Sequence, residues 1–308
     1  MSTVQDLLVL LQRTTSLQPI AFMTKEGKVH GTAFLAKVES TTVLFGAGHL
    51  LLTDSWNNAI VTSELKKGIN LDDYKVNFGD LDGQIKADGI TIEQLRRTFS
   101  TTLVVQCNAL QHSFKFQNGS LVPSKPFLRD PQGINMVIDN AQEKQDGFMR
   151  DYFYLILHER SSEPDADEEL QQKVEEMVTL PVGDEAFLDP ANGEPVLIIG
   201  HPGAGGDDEG SLDAPMRFDW GNERIVEKNQ SWGIHDSVVK ERILYDLKTR
   251  GGHSGSPVLG RGGKVKGIHV EGGGPGKPGT RDGVNKAQIM SRIIPDVKEK
   301  IKEYNKNK

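Results

Sequence analysis

The sequence predicts an all-β protein with a helix at each end and one acidic helical insertion. Glycine is frequent, with 33 of 308 residues against a usual share of about 7%, and this is typical of a chain with many turns. Short apolar stretches bounded by turn residues occur before residue 150 and again after residue 195, which indicates strands in two β subdomains. The segment 161–178 differs from both, because it is acidic and its apolar residues follow a helical spacing.

The predicted elements follow one another along the chain. Apolar residues at helical spacing in 3–13 predict a short N-terminal helix, and an acidic segment leads into a second helix at 168–177. Pro295 begins a third helix with a Lys-rich tail. Strands are predicted at 19–23, 29–38, 42–47, 102–106, 113–116, 152–157, 196–199, 242–245, 257–259 and 264–270. The resulting units are an N-terminal helix (1–18), a first β subdomain (19–160), an acidic insertion and linker (161–190), a second β subdomain (191–294) and a closing helix and tail (295–308).

Composition excludes several classes of function. The formal net charge is −7 and the isoelectric point is near 5.7, which argues against a nucleic-acid binder held by a basic face. The apolar runs are too short for a membrane-spanning helix. Cys107 is the single cysteine, and the start of the sequence lacks the features of a secretory signal, so we expect an intracellular, cytoplasmic protein. Nothing in the sequence predicts the oligomeric state.

The strongest local motif surrounds Ser254, in the stretch TRGGHSGSPV of residues 249–258. A serine with glycines two residues before and one residue after it can lie on a tight turn whose N–H groups face outward. An oxyanion hole needs such an arrangement, and glycine permits the positive φ angles that the turn requires. The alternative is an ordinary glycine-rich loop. Pro257 and the predicted strand after it favour a nucleophilic serine.

A serine nucleophile needs a base, and the base needs an acid that orients it. Among eight histidines, His49 follows an apolar strand and the small residues Gly46, Ala47 and Gly48. Asp151 opens a continuous apolar stretch, and a carboxylate entering a buried strand is costly unless it is paired. The alternative for Asp151 is a turn residue that begins a strand.

The chain order His49, Asp151, Ser254, together with the segments 31–35, 45–49, 151–155 and 252–257, resembles trypsin-like serine peptidases. The resemblance implies a chymotrypsin-like fold of two six-stranded antiparallel β-barrels, with the active site in the cleft between them. It also implies that Ser254 attacks, that His49 is the base and that Asp151 orients it. The N–H groups of Gly252 and Ser254 would form the oxyanion hole, and no metal or other cofactor would be needed.

Within this superfamily, the segments 245–257 and 196–202 are similar to those of glutamyl endopeptidases. Picornavirus main proteases share the layout, with cysteine in place of the serine. In both groups a threonine and a histidine face the P1 side chain, so the resemblance implies that Thr249 and His269 bind Glu or Gln at P1. Lys248 would favour a negative P1 group. The alternative for His269 is a core histidine whose ring has only a structural role.

Two departures from the family pattern have consequences. The interval from His49 to Asp151 is long, which implies an insertion in the first subdomain. His253 stands where trypsin-type zymogens have an aspartate, which implies that activation through an inserted N-terminus is absent.

Three other functions are alternatives to a trypsin-like serine peptidase. An α/β-hydrolase is disfavoured, because it requires Gly-x-Ser-x-Gly and the order Ser, acid, His. An HtrA-like protease is disfavoured because too few residues follow the last predicted strand for a peptide-binding domain. A latent trypsin-like fold that acts as a protein-binding or regulatory module remains as the alternative to an enzyme acting on protein or peptide substrates.

Overall fold

The structure is a computed structural model, and it describes the following residues: 20–25, 28–51, 69–77, 89–107, 112–117, 120–123, 128–129, 136–137, 151–161, 166–183, 195–200, 222–228, 242–246, 249, 252–260, 263–271 and 284–308. Their helices are α1 (Ile92–Thr98), α2 (Glu168–Glu176) and α3 (Met290–Lys306), with 3-10 helices at Gly48–Leu51 and Leu71–Asp73. The N-terminal helix predicted within 1–18 lies outside the described residues. No described helix has the length and apolar character needed to cross a membrane.

Strands make up most of the residues that the structure describes, as the sequence predicts. They are β1 (Ile20–Lys25), β2 (Lys28–Val38), β3 (Thr41–Gly46), β4 (Ile69–Asn70), β5 (Tyr74–Asn77), β6 (Ile90–Thr91), β7 (Phe99–Cys107), β8 (His112–Gln117), β9 (Ser120–Pro123), β10 (Leu128–Arg129), β11 (Met136–Val137), β12 (Asp151–Arg160), β13 (Leu180–Pro181), β14 (Pro195–Ile198), β15 (Asn222–Lys228), β16 (Arg242–Asp246), β17 (Pro257–Leu259), β18 (Val265–Glu271) and β19 (Val284–Ile289).

The described strands of the first half form one large sheet and a separate two-stranded sheet of β10 and β11. The strand order of the large sheet is β4-β9-β8-β7-β12-β3-β2-β1-β5-β6, and β13 adds to β2 in parallel, which makes eleven strands. The sequence predicts a six-stranded unit here. The difference arises in the long interval between His49 and Asp151, where the described residues form β4 to β11 and α1.

The second half of the chain forms a closed barrel of six strands in the order β14-β15-β16-β19-β18-β17. It closes because β17 pairs antiparallel with β14 as well as with β18. Sequence patterns do not predict β15 or β19. In β19 the polar residues Asn285, Lys286 and Gln288 are buried among apolar neighbours, so the strand lacks the alternation of polar and apolar residues that marks a half-exposed strand.

The strands β2, β3 and β12 are buried on both faces. Alternate residues of β12, such as Tyr154 and Ile156, join a core that also contains the second barrel and α3. Their neighbours Phe153 and Leu155 join a second core inside the first half. Burial on both faces explains why the sequence of β12 is a continuous apolar run. Asp151, the first residue of β12, therefore lies where the two halves meet.

Helix α3 begins at Met290 rather than at the predicted Pro295. Proline disfavours a helix interior because it lacks an N–H donor, a cost of about 3 kcal/mol. Burial outweighs that cost, because apolar side chains at helical spacing on both sides of the proline lie in the core: Met290, Ile293, Ile294, Val297 and Ile301.

Candidate active site

His49 and Asp151 form a closely bonded pair. His49 lies in the 3-10 helix directly after β3, and Asp151 is the first residue of β12, which pairs with β3. The backbone N–H of His49 donates to Asp151 Oδ1 at 2.8 Å, and the distance from His49 Nδ1 to Asp151 Oδ2 is 2.8 Å. Because an ionised carboxylate only accepts, Nδ1 of a neutral ring carries the proton and Nε2 the lone pair.

The small residues before His49 set the position of its helix. A Cβ on Gly48 would lie 2.2 Å from the carbonyl oxygen of Gln106 in β7 and 2.9 Å from that of Tyr152 in β12. Real side chains do not tolerate such distances, so only glycine lets the helix approach β7 and β12 this closely. The approach brings the backbone of His49 within hydrogen-bond distance of the Asp151 carboxylate.

Ser254 lies on a tight turn, the nucleophile loop, which we define as residues 252–256. Gly252 and Gly255 on either side of it have φ angles of 93° and 88°, the region that glycine adopts without strain. The loop is joined to the second barrel through β18. The N–H of Gly255 donates to the carbonyl of His269 at 2.7 Å, and the N–H of His269 donates to the carbonyl of Ser256 at 2.8 Å.

The nucleophile loop also contacts the first half of the chain directly. The N–H of Thr32 donates to the carbonyl of Ser254 at 2.8 Å, and the Thr32 hydroxyl donates to the carbonyl of Gly252 at 2.8 Å. A Cβ on Gly255 would lie 3.1 Å from the backbone nitrogen of Ala47, two residues before His49. The structure therefore brings the loop that carries Ser254 against the segment that carries His49.

His269 is buried and neutral. Its side chain is 2% exposed, and burial, with smaller contributions from His253 and His49, lowers its pKa to about 3. The rings of His253 and His269 meet edge to face, with centroids 6.3 Å apart. A neutral imidazole donates one hydrogen bond and accepts another, and it carries no charge with which to attract a carboxylate.

Thr249 is half-buried and donates from its hydroxyl to Asn285 Oδ1 at 2.5 Å. That length fits an O–H···O bond and is too short for N–H···O, so the hydroxyl proton is committed to Asn285. Lys248, the other residue expected at the P1 side chain, lies outside the described residues.

Sequence reasoning missed three residues that contact this site: Thr32, Asn285 and Gln288. Thr32 belongs to the stretch 31–35 that carries the resemblance, but its role there was not predicted. Gln288 Oε1 accepts from the N–H of Asp151 at 2.9 Å. Asn285 and Gln288 are polar residues in a strand without alternation, so no sequence signal marks them as site residues.

The described residues contain no group of three or more His, Cys, Asp or Glu side chains that could hold a metal ion.

No curated protein sequence matches the chain. The chain is similar to the Rv3671c protease in its inactive form, with 12% identity, a TM-score of 0.44 and 94% of each chain covered. The inactive-form serine-to-alanine mutant of Rv3671c from M. tuberculosis H37Rv is 12% identical, with a TM-score of 0.43 over 94% of this chain and 89% of that one. A mutant of human heparin binding protein (CAP37) is 10% identical, with a TM-score of 0.43 over 92% and 91% of the two chains.

A family comparison covers more than half of the chain. The family described as trypsin-like peptidase domain matches residues 101–268, which include Asp151 and Ser254. His49 precedes the matched residues. The chain therefore belongs to the trypsin-like peptidase domain family, whose substrates are proteins or peptides.

Proposed function

We propose that the protein is a serine endopeptidase with His49, Asp151 and Ser254 as its catalytic triad, in a cleft between the two halves of the chain. The observation that carries the proposal is the double hydrogen bond between His49 and the Asp151 carboxylate. A carboxylate bound to both the backbone and the ring of one histidine fixes the tautomer and the orientation of that ring, which is the role of the acid in a triad. The contacts of Thr32 with the Ser254 turn add support, because they hold the two halves of the site together.

The proposed reaction is acyl transfer. Ser254 Oγ attacks the scissile carbonyl while His49 Nε2 takes the hydroxyl proton, and His49 then delivers this proton to the leaving amine. Water then attacks the acyl-enzyme while His49 takes its proton, and His49 returns a proton to Ser254 Oγ as the acyl group leaves. The N–H groups of Gly252 and Ser254 bind the oxyanion, and the loss of one such donor typically costs about 2.7–4 kcal/mol of transition-state stabilisation.

A fluorophosphonate tests this proposal, because it reacts with an activated serine next to a formed oxyanion hole. Intact-mass analysis should show one adduct on the wild type and none on Ser254→Ala. Ser291→Ala is the matched control, since Ser291 lies in α3, outside the proposed triad and the nucleophile loop, and it should be labelled like the wild type. If a folded wild type gains no adduct, the proposal is wrong, and the latent protein-binding module becomes the better reading.

We also propose that the enzyme cleaves after Gln or Glu, with Gln preferred. Thr249 commits its hydroxyl proton to Asn285, so towards a substrate the hydroxyl can only accept, which suits the amide group of Gln. His269 is neutral at working pH, since its pKa is lowered to about 3, so it can donate to an amide oxygen without offering a positive charge to Glu. The alternative, a core histidine without contact to P1, predicts no effect of His269 on specificity.

Peptides that differ only at P1 (Gln, Glu, Asp and Ala) test the preference. We expect Gln to be cleaved fastest at both pH 5.5 and pH 8, by roughly fivefold over Glu, because one matched hydrogen bond is worth about 1 kcal/mol. Thr249→Val keeps the shape of the side chain and should remove most of the discrimination. An unchanged P1 profile in Thr249→Val and in His269→Ala would refute the assignment of these residues to the P1 pocket. If the Glu peptide is cleaved faster than the Gln peptide at pH 5.5, His269 is protonated at that pH and the proposed preference is wrong.

A further inference from the structure

Building on the proposed function, we propose that Gln288 is a positioning residue that sets the location of Asp151 relative to Ser254. Gln288 belongs to β19 of the second barrel, whereas Asp151 begins β12 in the first half. The side-chain amide of Gln288 reaches across, and its Oε1 accepts from the N–H of Asp151 at 2.9 Å. It thus ties the main chain of the proposed triad acid to the half of the molecule that carries the nucleophile.

The two sides of Asp151 have different partners. Its carboxylate oxygens accept from the N–H and the ring of His49, so the side chain determines the orientation of the base. Its N–H faces Gln288. Because a backbone N–H can only donate, the atom that faces it is the Gln288 oxygen, which fixes the orientation of the amide group.

Gln288 connects to the nucleophile loop through a short and regular path. In the barrel, Gln288 pairs with Ile268 of β18, and Ile268 pairs with Pro257 at the end of the loop. The residue after Ile268, His269, bonds to the backbones of Gly255 and Ser256, the last two residues of the loop. The paired strands hold Gln288 at a fixed position relative to the Ser254 turn. A displacement of the Gln288 side chain, which binds Asp151, therefore changes the distance between Asp151 and the Ser254 turn.

The burial of Gln288 favours a specific role for its oxygen. The residue is 0% exposed, and its Nε2 makes no hydrogen bond within the described part of the chain. A buried donor without a partner is destabilising, so an apolar side chain of the same size would serve packing better. An apolar side chain at this position would lose the hydrogen bond from the Asp151 N–H.

Gln288→Met is the variant that tests this inference, because methionine has a similar length and volume but no strong acceptor. We expect it to fold, to lower kcat about 10- to 100-fold with KM changed less than twofold, and to slow fluorophosphonate labelling of Ser254 by the same factor. A small misplacement of a catalytic group costs about this much in rate. Ile289→Val, on the same strand, is the matched packing control, and it should lower thermal stability and leave the labelling rate unchanged.

The far-downfield proton NMR resonance of His49 Nδ1–H gives a readout that does not depend on turnover. We expect this resonance to shift or broaden in Gln288→Met and to stay in place in Ile289→Val, because only the first variant releases Asp151. Gln288→Asn keeps the amide but draws the acceptor back by one methylene, and it should slow labelling to an intermediate degree. If Gln288→Met does not fold, Gln288→Asn serves as the test.

The outcomes separate the two proposals. A wild type that is folded but not labelled overturns the proposed function, while the NMR resonance still tests the positioning of Asp151 by Gln288. A labelled wild type together with wild-type labelling rates in both Gln288 variants overturns the positioning role. An unchanged His49 resonance in Gln288→Met, or in Gln288→Asn if the first variant does not fold, also overturns it.

Discussion

The two ends of strand β12 use similar side chains for different purposes. At its first residue, Asp151 binds His49 through two hydrogen bonds, and the side chains of His49 and Asp151 are only 13% and 15% exposed. At the other end, His158 stacks on Tyr304 of α3 with ring centroids 3.8 Å apart, and Glu159 accepts from the Tyr304 hydroxyl and from Lys308.

The difference lies in what holds each carboxylate. Asp151 is bound by a backbone N–H and a ring of one residue, in a position with little access to water, so its geometry is fixed. Glu159 is bound by the ends of two long side chains, and Lys308 is exposed. Such contacts can anchor a helix, but their geometry is not fixed closely enough for proton transfer. A carboxylate and a histidine near each other on a strand are thus not sufficient evidence for a catalytic pair.

The largest effect is expected at the site end. Asp151→Asn keeps the size of the side chain but offers an N–H in place of one acceptor, so it favours the wrong tautomer of His49. The change should lower kcat about 10⁴-fold, as removal of the triad carboxylate does in other serine peptidases. Steady-state kinetics with a Gln peptide measure it, and circular dichroism shows whether the fold is retained. A variant with more than a tenth of the wild-type kcat would contradict the role of Asp151.

A moderate effect on stability is expected in the middle of the strand. The buried hydroxyl of Tyr154 donates to Asp296 Oδ2 of α3 at 2.6 Å, and burial together with that carboxylate raises the pKa of Tyr154, so the phenol keeps its proton. Tyr154→Phe should lower the free energy of unfolding by about 2 kcal/mol, because the bond is to a charged group. Urea denaturation measures the loss, and fluorophosphonate labelling should be unchanged. A loss of labelling without a loss of stability would mean that the middle of β12 acts on the site.

A smaller effect at the far end depends on pH. Burial, partly offset by Glu159, lowers the pKa of His158, so the folded protein favours the neutral ring. The unfolded chain takes up a proton first, near pH 6.5. The contribution of His158 to stability is therefore complete above that pH and is lost as the pH falls towards the folded-state pKa.

The variant His158→Phe should keep the stacking on Tyr304 and remove this part of the pH dependence. The difference between urea midpoints at pH 8 and pH 5.5 should be smaller in His158→Phe than in the wild type. Equal differences in the two proteins would show that His158 does not titrate on unfolding.

The smallest effect is expected at the end of the chain. Lys308→Met removes the contact with Glu159, and exposed ion pairs contribute little to stability. We expect no measurable change in the urea midpoint or in activity. A clear loss of stability that disappears at high salt would show that the far end depends on charge more than on the stacking of Tyr304 and His158.

Sequence patterns predict most of the strands next to the site, because these strands are short and apolar or lie next to recognisable turns. They also singled out His49 and Asp151, which the structure brings within hydrogen-bond distance. Helix α1 was missed although its start is readable: Thr91 and Gln94 form a capping box, in which each side chain bonds the backbone of the other residue.

The contacts of Gln288 and Asn285 and the start of α3 have no local signal in the sequence. Gln288 and Asn285 gain their roles from residues far away in the chain, Asp151 and Thr249, so only the closed barrel and the packing of the two halves reveal them. The start of α3 was misplaced for a related reason, because burial of Met290 and Ile293 outweighs the local preference of Pro295 for the first turn of a helix.

The contact between Gly255 and Thr32 has a consequence for the order of folding. A Cβ on Gly255 would lie 1.9 Å from the carbonyl oxygen of Thr32, and the Thr32 hydroxyl bonds Gly252, which lies 220 residues away in sequence. Contacts of such sequence separation form only after a large loss of chain entropy, so the turn that carries Ser254 takes its final shape late. During synthesis the first half emerges without the nucleophile, and the second half cannot complete the turn without the first. The turn that carries Ser254 is thus completed only when both halves of the chain are present.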